Sequence, residues 1–366
     1  MKKVLLFGPP AVSYRPGAIV KYLTDRPESF HVFSFHDRYF SSMRFGLRPI
    51  VVVLLSLLAV SSADIIVISS IKHTTTYSRI VMKLASLLGK RVVIDFYISS
   101  YETQVLDRGS FDTKSRVAKN LALYDRQAIK LGNPTIFLNQ SEMIYYCGLL
   151  GVQIADVNPF ILPLVVPERP ISKRPYFRGE VSFPTIVWWG RMGNPIHGFD
   201  VIIDAVRILE ERGFRANYGF FGAPGEHFDS AKLSAEGICC LENVIFSDKY
   251  SFNNGLLTEF LTEKADIALG TFGLTDKAKN VLTNKVLDAS SLGLPCITQS
   301  SEGLSEYFKN EENILLCKCD AESLANRIIE VSQRREEIDR IAANALNIAK
   351  NKFSPDQFEA SLEEFL

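Results

Sequence analysis

The sequence predicts an α/β fold of two doubly wound, Rossmann-like domains in tandem, and three observations carry that expectation. Short apolar runs alternate with amphipathic stretches of helical period, the mark of parallel sheets linked by crossover helices. Five prolines crowd the stretch from Pro159 to Pro175, where neither a helix nor a strand pattern survives. Beyond them the same alternation starts again. A chain of 366 residues also suits two cores better than one.

In the first half the expected strands are Val4–Phe7, Val32–Phe35, Ile65–Ser69, Arg91–Phe96 and Thr135–Leu138. Between the third and fourth, Ile80, Leu84, Leu87 and Leu88 repeat at helical spacing over Ser78–Leu88, and Gly89 supplies the stop. The second half predicts strands at Thr185–Trp189, Asn217–Phe221, Val244–Phe246, Asp266–Leu269 and Pro295–Thr298, with a helix over Phe199–Arg212. Near the end, Ser354-Pro355-Asp356-Gln357 reads as an N-cap, a proline at the first helical position and a capping-box glutamine. The expected domains are therefore 1–165 and 166–352, with 353–366 a final helix that could close over the first domain or decorate the second. Doubly wound sheets bind ligands beyond the carboxyl ends of their strands, so a cleft between the domains is the expected site.

Composition narrows the class. Hydrophobic residues make up 47% of the chain and charged residues 22%, as in a globular protein. Lys plus Arg and Asp plus Glu balance at 41 each, so no overall basic field exists to attract nucleic acid. Six cysteines without a CxxC pair point to reduced thiols and a cytoplasmic protein. Met1-Lys2-Lys3 runs straight into a strand, without the layout of a signal peptide. The apolar run Ile50–Val60, preceded by Arg44 and Arg48, is shorter than the roughly 20 residues a spanning helix needs. It is expected to be a helix packed on a sheet; a helix dipped into a bilayer surface is the second reading.

Three loops at strand ends could carry chemistry. Trp188-Trp189-Gly190-Arg191 followed by His197-Gly198 combines a glycine that lets a ligand approach the backbone with a guanidinium fork suited to phosphate oxygens. An ordinary turn with a surface arginine would read the same way. Gly222-Ala223-Pro224-Gly225 is a weaker version of the same pattern. The third stretch runs from Gly270 through Lys277, Lys279 and Asn280 to Asn284, Lys285 and Asp288. Asn284 and Lys285 fall at a helix N-terminus, where open amides and the helix dipole favour an anion. Asp288, four residues after Asn284, shares its face and suits a ribose diol. The plainer alternative makes the lysines solvated loop charges and Asp288 a favourable acid near a helix start. An unperturbed imidazole titrates near pH 6.5, so His197 is expected to supply part of a charge at neutral pH.

These motifs resemble those of the retaining GT-B glycosyltransferases, grouped with bacterial lipopolysaccharide and polysaccharide enzymes, and the resemblance covers nearly the whole chain. Gly190-Arg191 through His197-Gly198 is similar to the family's donor loop, with His197 where lysine is usual. Asp288 matches the second acid of the family's Glu-x7-Glu motif; Asn280 stands at the first. Asn284-Lys285-Val286 resembles an Asn-Lys-Val variant of that motif, and Phe353-Ser354 the start of its crossover helix. Asp95-Phe96-Tyr97-Ile98-Ser99 through Thr103 is similar to a stretch in relatives that share the variant. The Gly8-Pro9-Pro10 to Gly17 segment stands where the family has a glycine-rich loop.

The resemblance implies transfer of a sugar from a UDP- or GDP-linked nucleoside diphosphate sugar to a hydroxyl acceptor, a glycan or lipid-linked glycan, with retention. It assigns catalysis to Asp95, Tyr97, Arg191 and Lys285. Donor contacts fall to Gly17, Gly190, Arg191, His197, Gly222, Lys279, Asn284, Lys285 and Asp288. No metal motif or cofactor is expected, nor a nucleic-acid partner. The protein would be cytoplasmic, with peripheral contact at the inner face of the membrane as the second reading. The competing functions are a degenerate sugar-nucleotide-binding partner subunit, favoured by Asn280 and His197, and a sugar-nucleotide epimerase on the same fold.

Overall fold

A computed structural model of the chain describes residues 1–7, 14–35, 48–69, 74, 76–171, 183–236 and 243–366. The Gly8-Pro9-Pro10 loop, Arg44, Pro175, Cys239 and Cys240 lie outside the described residues. The chain forms two compact units, Met1–Val165 with Phe358–Leu366, and Val166–Gln357.

The first unit is built on six parallel strands: β1 (Lys2–Phe7), β2 (Phe30–Phe35), β3 (Ile65–Ile68), β4 (Arg91–Asp95), β5 (Thr135–Phe137) and β6 (Pro159–Ile161). Their order is β2-β1-β3-β4-β5-β6. Its helices are α1 (Tyr14–Thr24), α2 (Arg48–Ser62), α3 (Thr76–Leu87), α4 (Arg116–Leu131) and α5 (Gln140–Leu150). Successive strand residues feed opposite faces of the sheet. Leu5, Phe7, Ile66 and Ile68 join one apolar cluster, and Val4, Leu6, Ile65 and Val67 join the other. This double burial explains why the strands read as unbroken apolar runs. Gly89, at φ +61°, stops α3 in a conformation that other residues rarely adopt.

Two details differ from the sequence reading. The proline-rich stretch begins as a strand, because Pro159 sits at the start of β6, an edge strand where a missing N–H costs little. The segment after β4 contains a π-helical turn, Glu102–Asp107, which no local pattern announces.

The second unit repeats the plan with β7 (Thr185–Gly190), β8 (Asn217–Gly222), β9 (Val244–Ser247), β10 (Ile267–Leu269), β11 (Cys296–Gln299) and β12 (Leu315–Cys317), in the order β12-β11-β10-β7-β8-β9. Its helices are α6 (Phe199–Glu211), α7 (Glu226–Glu236), α8 (Leu256–Glu263), α9 (Asp276–Asn280), α10 (Asn284–Ser291), α11 (Glu302–Ser305), α12 (Ala321–Ser332) and α13 (Arg335–Lys352). β12 is three residues long and escapes the sequence pattern. The last helix, α14 (Pro355–Glu363), starts at a proline, and Ser354 Oγ accepts from the Gln357 amide at 3.4 Å. Residues 358–366 belong to the first unit, where Phe358, Leu362, Phe365 and Leu366 join the cluster of Val4 and Ile136. Cys147, Cys296, Cys317 and Cys319 are free thiols. Among the described residues, no helix is long and apolar enough to cross a membrane.

Candidate active site

In the second unit the carboxyl end of β7 is the centre of the arrangement. Trp188 is fully buried and donates its indole N–H to the Gly270 carbonyl at 3.1 Å. That bond ties β7 to the loop after β10. The same two loops press backbone on backbone farther along. The Phe272 amide donates to the His197 carbonyl at 3.0 Å. Gly198 has φ +57°, and a Cβ there would lie 1.9 Å from the Phe272 carbonyl oxygen. A Cβ at Gly273 would lie 2.4 Å from the Ile196 carbonyl oxygen. Both glycines are therefore demanded by the closeness of the chains.

Lys285 enters this frame from the first turn of α10. Gly190, at φ +146°, makes the room: a Cβ there would stand 2.8 Å from Lys285 Nζ and 3.3 Å from His197 Cε1. The ammonium also lies 5.0 Å from the Trp188 ring centroid. Lys285 is 6% exposed, and this burial pulls its pKa down to about 7, against the attraction of Asp288. Thr283, the N-cap of α10, makes no side-chain cap bond, so the opening amides of the helix keep their anion-binding potential. A lysine, a glycine cradle and a helix N-terminus thus converge on one point. An anion placed there would restore the charge that burial disfavours.

His197 behaves differently from the sequence expectation. Its Nδ1 lies 2.8 Å from the Arg191 carbonyl oxygen. Burial, then the nearby Lys285 charge, lower its pKa to about 3. The imidazole is neutral at physiological pH and offers no part of a charge beside Lys285. Arg191 contributes its carbonyl to this loop, while its side chain is exposed.

Asp288 lies in the second turn of α10, five residues after the cap, and is buried. Arg169 Nη1 bonds its Oδ1 at 2.5 Å, and the same guanidinium lies 3.8 Å from the Phe252 ring centroid. Sequence reasoning missed Arg169 because it stands in the proline-rich connection, where no periodicity marks it. Asn284 opens α10 as expected. Gly222 pairs in register with Gly190, and a Cβ there would lie 2.9 Å from the Gly190 carbonyl oxygen, so it keeps the two strand ends close. Lys279 does not join the group around Gly190: it is 60% exposed and pairs with Asp276 at 2.8 Å. The Asn280 amide turns back to the Asp276 carbonyl at 2.8 Å.

In the first unit, Asp95 ends β4 and meets an arginine that the sequence reading did not single out. Arg15 is fully buried, bonds Asp95 Oδ1 at 2.6 Å and the Leu162 carbonyl at 2.8 Å, and lies 5.3 Å from the Tyr97 ring centroid. The available signal was its position: a cation in the first turn of a helix opposes the dipole and calls for a specific partner. Gly17 sits inside α1, three residues past its start.

Residues 183–334 match the family model "Glycosyl transferases group 1". Solved structures share the fold over the whole chain. HepE of Anabaena, in complex with UDP-glucose, matches with a TM-score of 0.71 at 13% identity, over 100% of this chain and 99% of that one. Sucrose-phosphate synthase of Thermosynechococcus elongatus matches at 0.71 and 11% identity, over 100% and 98%. A glycosyltransferase of Rickettsia africae matches at 0.68 and 11%, over 99% and 97%. Among curated proteins no relative matches by sequence. At such identities the structural likeness shows the fold alone, which is GT-B. Residues 183–334 of the second unit are thus similar to a glycosyl transferases group 1 domain, and the chain has the GT-B fold.

Proposed function

We propose that the chain transfers a glycosyl unit, with retention, from a nucleoside diphosphate sugar to the hydroxyl of a glycan or lipid-linked glycan on the cytoplasmic side of the membrane. The observation that carries this reading is the cradle at Gly190, where buried Lys285 meets the N-terminus of α10. The donor diphosphate belongs there, and its ribose reaches towards Asp288, sharing that carboxylate with Arg169. UDP is the first base to test, since HepE structures hold UDP and UDP-glucose; GDP is the second.

Breaking the bond from the anomeric carbon to the phosphate oxygen leaves an electron pair, and so a negative charge, on the departing diphosphate. Lys285, the α10 amides and exposed Arg191 would stabilise that charge where it develops, a preorganised electrostatic effect. The acceptor oxygen forms the new bond to the anomeric carbon and gives its proton to the leaving phosphate oxygen. Asp95, held by Arg15, and Tyr97, whose ring faces the same guanidinium, are assigned to the acceptor side. Lys279 and Asn280 are left out of the donor contacts, and no metal is required.

The test pairs calorimetry of UDP and GDP binding with product release from UDP- and GDP-sugars, in wild type and Lys285→Met. Donor binding that is lost in Lys285→Met supports the reading; equal affinity in the two would remove Lys285 from the site. Asn280, whose amide is engaged by Asp276, favours one rival, a donor-binding subunit without turnover. Tight nucleotide binding with neither transfer nor donor hydrolysis would select that rival.

A further inference from the structure

We propose that Arg169 is a positioning residue that sets the Asp288 carboxylate for the ribose of the donor, and so makes the site select ribonucleotides over deoxyribonucleotides. The proposal rests on the placing of the ribose at Asp288 given above. The residues concerned all belong to the second unit.

Three elements meet at one guanidinium. Arg169 stands on the segment that opens the second unit, where the Val166 amide donates to the Phe353 carbonyl at 2.8 Å. Its Nη1 donates to Asp288 Oδ1 on α10 at 2.5 Å, and the two side chains are 8% and 3% exposed. Its central carbon lies 3.8 Å from the ring centroid of Phe252, in the loop after β9. Phe252 in turn meets Trp189 edge-on, with 6.0 Å between centroids, and Trp189 precedes Gly190 at the end of β7. Held by a carboxylate on one side and a ring on another, this place suits a planar, weakly hydrated cation; an ammonium fits it poorly.

The chemistry of a carboxylate says what such a clamp does for a ribose. A buried carboxylate without a cation is costly and tends to take up a proton. The protonated acid is itself a donor and has lost acceptor capacity. A ribose diol brings two O–H donors, so it calls for the ionised form, which an adjacent arginine favours. An ionised carboxylate has about four lone-pair sites, enough for an arginine and a diol together. Fixing Oδ1 also stops the group from turning about its last bond, so its orientation is set before the nucleotide arrives. A deoxynucleotide brings one donor fewer and leaves a buried acceptor unanswered, which is how polar sites discriminate strongly. The pair has a second effect: Asp288 stands three residues after Lys285, and beside Arg169 it presents no net charge to a diphosphate there.

The test is calorimetry of UDP, 2′-deoxy-UDP and inorganic pyrophosphate binding to full-length protein. Wild type is compared with Arg169→Lys, Arg169→Met and Asp288→Asn, each checked for folding by circular dichroism. Wild type should bind UDP about tenfold or more tighter than 2′-deoxy-UDP. Arg169→Lys keeps the charge but loses the planar fork, and should cut that preference by about threefold or more. Arg169→Met should nearly abolish it. Pyrophosphate affinity should hardly change, because Lys285 and the α10 amides are untouched. Should Arg169→Met fail to fold, Arg169→Lys decides. No preference in wild type, or a wild-type preference in either folded Arg169 variant, would overturn the proposal. So would equal weakening of all three ligands, the sign of a merely structural clip. Asp288→Asn separates the positioning role from the donor reading beneath it. A wild-type preference in Asp288→Asn would take the ribose away from Asp288 altogether. A lost preference there, with an unchanged one in Arg169→Lys, would overturn the positioning role alone.

Discussion

Lys285 is the residue on which the proposed donor site turns, and its burial makes a pH prediction. Its pKa in the free protein is about 7, and a bound diphosphate raises it. Binding therefore takes up a proton above pH 7. Affinity for a UDP-sugar, whose diphosphate does not titrate near neutrality, should be nearly flat below pH 7 and weaken by up to about tenfold per unit above it. Calorimetry in buffers of different ionisation enthalpy would measure the proton uptake. His197→Gln should keep the wild-type profile, because His197 is already neutral; a flattened profile in that variant would move the effect to the imidazole. The expectation of a partly charged His197 came from its ordinary pKa, and no sequence pattern shows that burial and a neighbouring ammonium will depress it. Arg169 was equally illegible. Breaking its buried pair with Asp288 by Arg169→Met should cost about 3–5 kcal/mol, measured by urea unfolding of the second unit. Arg169→Met/Asp288→Leu should recover part of that loss, since no uncompensated charge is left behind.

Among the elements, the loops after β7 and β10 were legible as glycine-bearing turns, but their contact with each other was not. Gly190, Gly198 and Gly270 stand out in sequence; that Gly198 and Gly273 each meet a carbonyl of the opposing loop follows only from the tertiary approach. Gly198→Ala must strain a left-handed backbone and push Phe272 away. It should lower stability by about 1–3 kcal/mol and weaken nucleotide binding, both readable in one thermal-shift titration with UDP. A variant as stable and as tight as wild type would show that the two loops separate easily. The α10 start was visible because Asn284, Lys285 and Asp288 obey helical spacing. By contrast β12 and β6 were hidden, one by its three-residue length and the other by its opening proline. The π-helical turn at Glu102–Asp107 had no local signal at all, since its hydrogen-bond pattern is fixed by packing rather than by composition.

For the molecule as a whole, the two-unit plan was readable because apolar periodicity and proline density are local properties. Which unit claims the last residues was settled by packing. Phe358, Leu362, Phe365 and Leu366 are each less than 9% exposed, within the core of the first unit. Removing 358–366 should therefore unfold the first unit, at a cost of about 6 kcal/mol or more, and leave the second folded. Limited proteolysis followed by mass spectrometry would show a surviving fragment near 183–357. That arrangement also sets an order of events during synthesis. The first unit emerges from the ribosome first, yet its core waits for residues 358–366, made after the second unit. At about 5–20 residues per second, the nascent chain carries an unfinished first domain for on the order of ten seconds while the second is made. During that interval the faces of β1, β3 and β5 that later receive the four C-terminal side chains are exposed. A bystander protein that shields apolar surface would find its target there, and ribosome profiling of chaperone-bound chains should show engagement that ends only once residues 358–366 have emerged.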